Sequence, residues 1–147
     1  MKLNLGSGNR KKEGYVNIDI DETSGPDLVL DILTGLPYED ETVDKVIAFD
    51  FLEHIPIGRT IYVINEIWRV LKLGGIFEHF TPSTDGRGAY QDPTHVSFWN
   101  INSWLYYCEG VWAGMYGIES RFKTKNLQDI ITSDAYNIIH THGVFEK

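Results

Sequence analysis

The residues best suited to proton transfer in this sequence are Asp92 and His95, which lie three positions apart in the long polar loop 83–95. An imidazole has an unperturbed pKa of about 6.5 and suits a general base, and a nearby carboxylate can orient it or act as a base itself. In the alternative interpretation both residues stabilise the loop, because Asp92-Pro93 starts a turn and His95 packs on Trp99. The sequence favours neither interpretation over the other.

Metal binding is the other chemistry that an aspartate and a histidine could perform. Two candidate ligands are too few to define a site, so we predict no metal. We expect the remaining histidines to be structural or surface residues: His54, His79, His140 and His142.

A turn rich in glycine, Gly6-Ser7-Gly8, follows a short strand that begins at Lys2. Glycine has no Cβ, so it adopts positive φ readily and lets a ligand approach the backbone closely. Asp19 lies eleven residues beyond Gly8, near the end of the next predicted strand, Tyr15–Ile20. In dinucleotide-binding folds an acidic residue at such a strand end accepts hydrogen bonds from ribose hydroxyls. Together these residues predict a nucleoside pocket, although each alone also fits an ordinary turn or strand end.

The elements that position these residues alternate between strands and helical or loop connections. Further short strands are predicted at Asp27–Ile32, Asp44–Phe49 and Ile76–Phe80. Apolar residues at helical spacing predict a helix from Ile57 to Leu71, with Gly74-Gly75 as its stop. Such alternation indicates a parallel sheet, in which ligands bind at the carboxyl ends of the strands. The connection between Gly8 and Asp19 is too short for a full helix and is expected to be a loop.

The last part of the chain is predicted to close the sheet with two antiparallel strands, Glu119–Lys125 and Tyr136–Phe145, joined by residues 126–134. The predicted fold class is therefore α/β, a single Rossmann-like, doubly wound, mostly parallel sheet with a closing antiparallel strand pair. At 147 residues and 42% hydrophobic composition, we expect one domain over residues 1–147.

Composition excludes some classes of partner. A formal net charge of -8 argues against nucleic acid, whose binding depends on basic groups that neutralise phosphates. No apolar run approaches the ~20 residues of a membrane span, and the N-terminus has no signal-peptide pattern. We therefore expect a soluble cytoplasmic protein that binds neither nucleic acid nor membranes.

Several motifs together resemble the class I S-adenosylmethionine-dependent methyltransferases, and more closely a short branch of that superfamily with an Asp-Pro-Thr-His loop. The match runs from Lys2 to about Tyr107. Its specific parts are Leu3–Gly8, Gly14–Asp19, Leu36–Tyr38 with Asp44, Leu52–Ile55, Arg69–Lys72 with Gly74-Gly75, and Asp92–His95.

The resemblance implies S-adenosylmethionine as cofactor and assigns roles to residues at the strand ends. The turn Gly6-Ser7-Gly8 would lie against the methionine part, and Asp19 would hold the ribose hydroxyls. Asp31 and Ile32 would meet the adenine. Ala48 and Phe49 would offer backbone carbonyls near the ammonium and sulfonium groups. Because the first helix is shortened, Asn9, Arg10 or loop amides must bind the methionine carboxylate.

If the chain is a methyltransferase, we expect its methyl acceptor to be a small molecule, and a hydroxyl of a sugar or nucleotide-sugar is the candidate group. We predict that it binds near three aromatic residues, Tyr90, Trp99 and Tyr106, with His95 or Asp92 as the base. The alternative is a non-catalytic cofactor-binding or interaction module that needs a partner chain, because the sequence begins at the first strand and the pocket is expected to be open. In either case the chain could form a homo-oligomer. A nicotinamide dehydrogenase is disfavoured because the third glycine is missing.

Overall fold

The computed structural model describes residues 1–147 and is built around one seven-stranded sheet. The strands are β1 (Lys2–Leu5), β2 (Val16–Asp19), β3 (Leu28–Val29), β4 (Val43–Phe49), β5 (Leu71–Pro82), β6 (Lys123–Ser133) and β7 (Ile138–Glu146). Their order in the sheet is β3-β2-β1-β4-β5-β7-β6. The first five strands are parallel, and β7 pairs antiparallel with both β5 and β6. The predicted fold class is confirmed.

The main helix, α1 (Thr60–Val70), covers one face of the sheet with a buried stripe of apolar residues. A short second helix, α2 (Gly88–Gln91), lies in the polar loop. The helix ends earlier than predicted, because Leu71 is already extended and pairs with Val43 of β4. Gly74 therefore does not stop the helix but lies in an irregular part of β5, at a φ of +78°. No helix is long and apolar enough to cross a membrane.

The closing strand pair differs from its predicted bounds. β6 runs from Lys123 to Ser133, through most of the segment predicted to be a connection, and the turn to β7 is only 134–137. The reason is that β6 is an edge strand that pairs with β7 alone. Its polar, largely exposed residues therefore lack the alternation that identifies a half-buried strand.

Aromatic rings fill the core between the sheet and the 97–122 segment. Trp104, Phe77, Phe122 and Phe145 are fully buried and pack with ring centroids 5.0 to 6.3 Å apart. His79 lies among them, stacked on Trp104 at a centroid distance of 3.9 Å. Its Nδ1 is 3.1 Å from Thr81 Oγ1, whereas its Nε2 has no hydrogen-bond partner.

The buried imidazole of His79 predicts that stability falls with acidity. Burial, together with the nearby His142, holds the pKa of His79 well below its usual value. A histidine with a depressed folded-state pKa contributes its full stability above the unfolded pKa of about 6.5, and that stability is lost as the pH falls below it. Between pH 6.5 and 5.5 the loss from this one group is about 1 kcal/mol. Urea unfolding at these two pH values should show that loss in the wild type and not in His79→Gln; equal losses would refute the assignment.

Candidate functional site

A cavity of about 550 Å³ opens at the carboxyl ends of the parallel strands. Its walls come from the turn after β1, the end of β2, the segment after β3 and the turn after β4, because parallel strands bring these segments to one edge. The residues that line it are Leu5, Gly6, Gly8, Arg10, Ile18, Asp19, Ile20, Leu30, Asp31, Ile32, Leu33, Asp50, Phe51, His54, Ile55 and Pro56.

Asp19 is held in place by backbone donors on both sides. Its Oδ2 accepts a hydrogen bond of 2.7 Å from the Gly8 amide, and its Oδ1 accepts one of 2.9 Å from the Asp21 amide. A carboxylate oxygen can accept more than one hydrogen bond, so both oxygens keep acceptor capacity for a ligand. The glycine turn and the acidic residue, which the sequence treated as separate signals, form one unit.

Asp31 and Ile32 form the adjoining wall of the cavity. The Oδ1 of Asp31 caps a short 3-10 turn by accepting a hydrogen bond of 2.9 Å from the Leu33 amide. Its Oδ2 accepts no hydrogen bond from the protein. Ile32 is buried and contributes apolar surface. This wall therefore combines the unpaired Oδ2 of Asp31, which can accept a hydrogen bond, with the apolar surface of Ile32.

The side chain of Phe51 packs directly against the turn after β1. Gly6 has a φ of +62°, and a Cβ built on it would lie 2.2 Å from Phe51 Cδ2. Only glycine fits between this backbone and the aromatic ring. Ser7 does not line this cavity: it is buried, its amide donates to the Ile18 carbonyl at 3.1 Å, and it lines a smaller cavity of about 190 Å³.

The connection between β1 and β2 contains no helix, as predicted, and Asn17 organises it. The Oδ1 of Asn17 accepts hydrogen bonds from Lys12 N at 2.7 Å and from Asn4 Nδ2 at 2.9 Å. Its Nδ2 donates to Asp27 Oδ2 at 2.8 Å. Both asparagines are buried. A side-chain network thus replaces the missing helix as the support of the loop.

The end of β4 contributes Asp50 and Phe51 to the cavity rather than Ala48 and Phe49. Ala48 is fully buried in the strand, and Phe49 packs edge-on against Phe80 with ring centroids 6.4 Å apart. Neither residue lines the cavity. The strand continues for one residue beyond Ala48, and the chain then turns at Asp50, which has a φ of +49°.

Asp50 carries a negative charge into the site. Arg10 Nη1 lies 2.9 Å from its Oδ2, and His140 Nε2 lies 3.3 Å from its Oδ1. Burial raises the pKa of Asp50, but the interactions with His140 and Arg10 outweigh it, and the net pKa is below the ordinary value. The carboxylate is therefore ionised at neutral pH.

A second, polar cavity of about 320 Å³ adjoins the first and shares three residues with it, Arg10, Asp50 and His54. Asp92 and His95 both line this cavity. The loop that carries them therefore lies beside the larger cavity, at the same edge of the sheet.

Asp92 and His95 do not form the direct hydrogen bond that would make them a pair. His95 Nε2 is 3.9 Å from Asp92 Oδ2, beyond hydrogen-bond distance. Asp92 Oδ1 instead accepts from the hydroxyl and the amide of Thr94, which lower the pKa of Asp92. His95 Nδ1 contacts the Ala89 carbonyl at 3.1 Å, and its ring packs edge-on against His54. Asp92 thus stabilises the turn, while both residues still face the cavity.

Glu53 is the most unusual group of the polar cavity. The residue is 2% exposed, and neither carboxylate oxygen has a hydrogen-bond partner. Burial raises the pKa of Glu53 to about 8. Its backbone carbonyl accepts hydrogen bonds from the amides of Val96 and Ser97, which fixes the polar loop to the turn after β4.

Comparison with known proteins identifies the fold that surrounds these cavities. A family model described as a methyltransferase domain matches residues 9–78. The crystal structure of a SAM-dependent methyltransferase from Archaeoglobus fulgidus superimposes with a TM-score of 0.72 at 13% identity, over 99% of this chain and 85% of that one. The chain has the fold of the class I S-adenosylmethionine-dependent methyltransferases. The resemblance to this superfamily is thereby confirmed at the level of the fold, whereas the branch with an Asp-Pro-Thr-His loop stays a prediction.

Other structures with this methyltransferase fold differ in what they do. The 1,6-didemethyltoxoflavin-N1-methyltransferase of Burkholderia thailandensis, solved with bound 1,6-didemethyltoxoflavin and S-adenosylhomocysteine, has a TM-score of 0.70 at 11% identity over 99% of this chain and 70% of that one. The cyclase SpnF has a TM-score of 0.71 at 15% identity over 99% and 73%. No curated protein shows significant sequence similarity to the chain. Since one fold hosts several reactions, function must be argued from the site.

The three aromatic residues predicted to bind the acceptor lie outside both cavities of this methyltransferase fold. Tyr90 is exposed and stacks on Phe98 at 5.3 Å. Trp99 is buried, and together with Tyr106 it lines a separate cavity of about 500 Å³ beside the start of α1. Trp99 and Tyr106 are thus separated from the cavity of Asp92 and His95, and Tyr90, although near them in sequence, does not line that cavity.

Sequence reasoning gave no role in the site to three residues that line these cavities: Asp50, Glu53 and His54. Glu53 and His54 belong to the motif Leu52–Ile55, which contributed to the resemblance but was given no chemical role. The signal that could have found them is their position directly after a buried strand, the place where the same reasoning expected ligands.

Proposed function

We propose that the chain binds S-adenosylmethionine in the larger cavity and transfers its methyl group to a hydroxyl of a small molecule bound in the polar cavity. The observation that carries the proposal is that the two cavities adjoin and share Arg10, Asp50 and His54. A donor and an acceptor placed in them would meet at these residues.

The larger cavity offers a suitable group for each part of the cofactor. Asp19 would accept hydrogen bonds from the ribose hydroxyls, and the free Oδ2 of Asp31 would accept one from the adenine amino group while Ile32 packs on the ring. The ionised Asp50 would bind the methionine ammonium, and Arg10 the carboxylate.

The reaction requires little covalent help from the protein. The cofactor supplies a methyl group already activated by its positive sulfur. The acceptor oxygen attacks the methyl carbon, the carbon–sulfur bond breaks, and its electron pair stays on sulfur. Alignment of the reacting atoms can supply roughly 7 to 11 kcal/mol of the barrier reduction. The hydroxyl proton passes to His95 or Asp92, which line the acceptor cavity.

The polar character of the acceptor cavity supports a hydroxylated acceptor such as a sugar or nucleotide-sugar. Charged and hydrogen-bonding side chains dominate its wall: Arg10, Asp50, Glu53, His54, Gln91, Asp92, His95 and His140. Such a wall can satisfy several hydroxyl groups, whereas an aromatic or aliphatic acceptor would leave these groups unpaired at a cost of about 1–3 kcal/mol each.

Calorimetric titration with S-adenosylhomocysteine tests the cofactor part of the proposal. We expect Asp19→Ala to weaken binding by about 5- to 150-fold, the equivalent of 1–3 kcal/mol for unpaired ribose hydroxyls. Glu22→Ala removes an exposed carboxylate three residues further on that makes no hydrogen bond, and should bind like the wild type. Unchanged affinity in Asp19→Ala would contradict the role of Asp19 in binding the ribose. Absence of binding in the wild type would refute the enzyme proposal for this chain.

Incubation with S-adenosylmethionine and a panel of sugars and nucleotide-sugars, followed by mass spectrometry, tests the acceptor part. Methylation of a hydroxyl, lost in His95→Gln or Asp92→Asn, is the expected result. Cofactor binding without methylation of any acceptor, unless a second protein is added, would favour the alternative of a cofactor-binding module.

A further inference from the structure

The polar cavity contains a cluster of three potential metal ligands, Glu53, His54 and His95. One ligand atom from each lies within 4.8 Å of those of the other two. They come from two segments that are far apart in sequence, the turn after β4 and the polar loop. The backbone hydrogen bonds from Val96 and Ser97 to the Glu53 carbonyl hold these two segments together.

The buried carboxylate of Glu53 is a second, independent observation that points to a bound cation. A buried carboxylate is normally paired with a donor, because leaving water without a partner is costly. Neither oxygen of Glu53 accepts a hydrogen bond from another residue. No lysine or arginine lies within salt-bridge distance of it. A cation bound in the cavity would give this carboxylate the partner that other side chains do not provide.

The two histidines are already oriented as metal ligands. His95 Nδ1 contacts the Ala89 carbonyl at 3.1 Å, and His54 Nδ1 contacts the Thr94 carbonyl at 3.3 Å. A carbonyl can only accept, so His95 Nδ1 carries the proton and its Nε2 keeps a free lone pair. His54 Nδ1 is also 3.3 Å from the Thr94 hydroxyl, which already donates to Asp92 Oδ1, so the same arrangement suits His54. Metal-binding histidines characteristically donate their second nitrogen to a backbone carbonyl or carboxylate in this way.

We propose that Glu53, His54 and His95 bind a divalent transition-metal ion in the polar cavity. One carboxylate and two imidazoles suit Mn²⁺, Fe²⁺ or Zn²⁺ better than Mg²⁺, which prefers oxygen ligands alone. Metal–ligand bonds of about 2.0–2.2 Å place ligand atoms about 3 to 4 Å apart, so the cluster has to contract by only about an ångström. Three protein ligands leave coordination positions open for the acceptor.

The catalytic role of the ion rests on the proposed methyl transfer. The binding of the ion to the three side chains does not depend on that proposal. In a six-coordinate ion such as Mn²⁺ or Fe²⁺, two adjacent open positions would accept two oxygens of one molecule, so we expect an acceptor with a vicinal diol or a hydroxyl beside a carbonyl. Binding to the ion makes the hydroxyl more acidic and orients its oxygen towards the methyl group. His95 is then a ligand, and the hydroxyl proton passes to Asp92, whose Oδ2 makes no hydrogen bond. The oxygen forms its bond to the methyl carbon as the carbon–sulfur bond breaks.

Titration of the full chain with Mn²⁺ alone, followed by EPR spectroscopy, tests the site without any turnover. We expect one bound Mn²⁺ that Zn²⁺ displaces and an equal concentration of Mg²⁺ does not. Glu53→Gln and His54→Gln should each weaken binding at least tenfold, while His142→Gln, outside both cavities, should not. Absence of binding, or binding that neither cavity variant weakens, would overturn the proposal.

Titration of the same variants with S-adenosylhomocysteine separates this proposal from the proposed function. Glu53 does not line the larger cavity, so Glu53→Gln should lose Mn²⁺ and keep its affinity for S-adenosylhomocysteine. Binding of S-adenosylhomocysteine by a wild type that binds no Mn²⁺ would reject the metal site alone. Binding of Mn²⁺ without S-adenosylhomocysteine would keep the metal site and reject the methyltransferase.

Discussion

Gly6→Ala is expected to weaken the binding of S-adenosylhomocysteine at least 100-fold. The new methyl group would lie 2.2 Å from Phe51 Cδ2 and within 3 Å of two further atoms of that side chain. Phe51 must therefore move, and because it lines the larger cavity it would change the space in which the cofactor is proposed to bind. The positive φ adds strain of about 1–2 kcal/mol. Isothermal titration calorimetry measures the affinity, and urea unfolding measures the stability.

Gly14→Ala is the matched control for this change. Gly14 has a φ of +77°, so alanine pays a similar backbone cost, but the added Cβ has no atom within 4 Å and the residue does not line the cavity. We expect this variant to lose stability while keeping its affinity within about threefold. A similar loss of affinity in both variants would mean that backbone strain, and not contact with Phe51, controls binding.

Trp104→Ala is expected to destabilise the protein by about 3–5 kcal/mol, the range for removing a large aromatic side chain from a core. Trp104 is fully buried and stacks on His79 at 3.9 Å and on Trp99 at 5.3 Å. The Nε1 of Trp99 donates to Ser97 Oγ, which donates to the Leu52 carbonyl beside Glu53. Loss of Trp104 should therefore loosen the polar cavity as well as the core. Urea unfolding at pH 7 measures the effect.

Two variants define what the ring of Trp104 contributes. Trp104→Phe keeps most of the buried surface and removes an indole N–H that has no hydrogen-bond partner, so it should cost clearly less than alanine. Trp112→Ala removes a tryptophan that is 40% exposed and should cost about 1 kcal/mol or less. An equal loss in Trp104→Ala and Trp112→Ala would contradict the assignment of Trp104 to the core.

The sheet was predictable because its buried strands have a clear apolar signal. Val46, Ile47 and Ala48 are consecutive buried residues in β4 and form a continuous apolar run, and the helix covering the sheet has a regular apolar stripe. The edge strand β6 was misplaced because an exposed edge carries no such pattern. The early end of the main helix was missed because Leu71 continues the apolar spacing although its backbone has already become extended.

The part of the candidate site that consists of residues close together in sequence was predictable. The glycine turn and Asp19 are close in sequence, and their hydrogen bond follows from the short connection. The cluster of Glu53, His54 and His95 joins residues about forty positions apart, and its arrangement depends on backbone hydrogen bonds that side-chain identities do not encode. Trp99 and Tyr106 were placed with the acceptor because aromatic residues suit sugars, but packing against the core sets their position.

The network around Asn17 has a consequence for the thermodynamics of binding. Because this side chain ties the loop after β1 to Asn4, Lys12 and Asp27, the loop amides are already ordered before a ligand enters. A loop that is ordered in advance loses little conformational entropy on binding. The heat-capacity change of cofactor binding should then reflect the apolar surface that the ligand covers, with no contribution from folding of the loop.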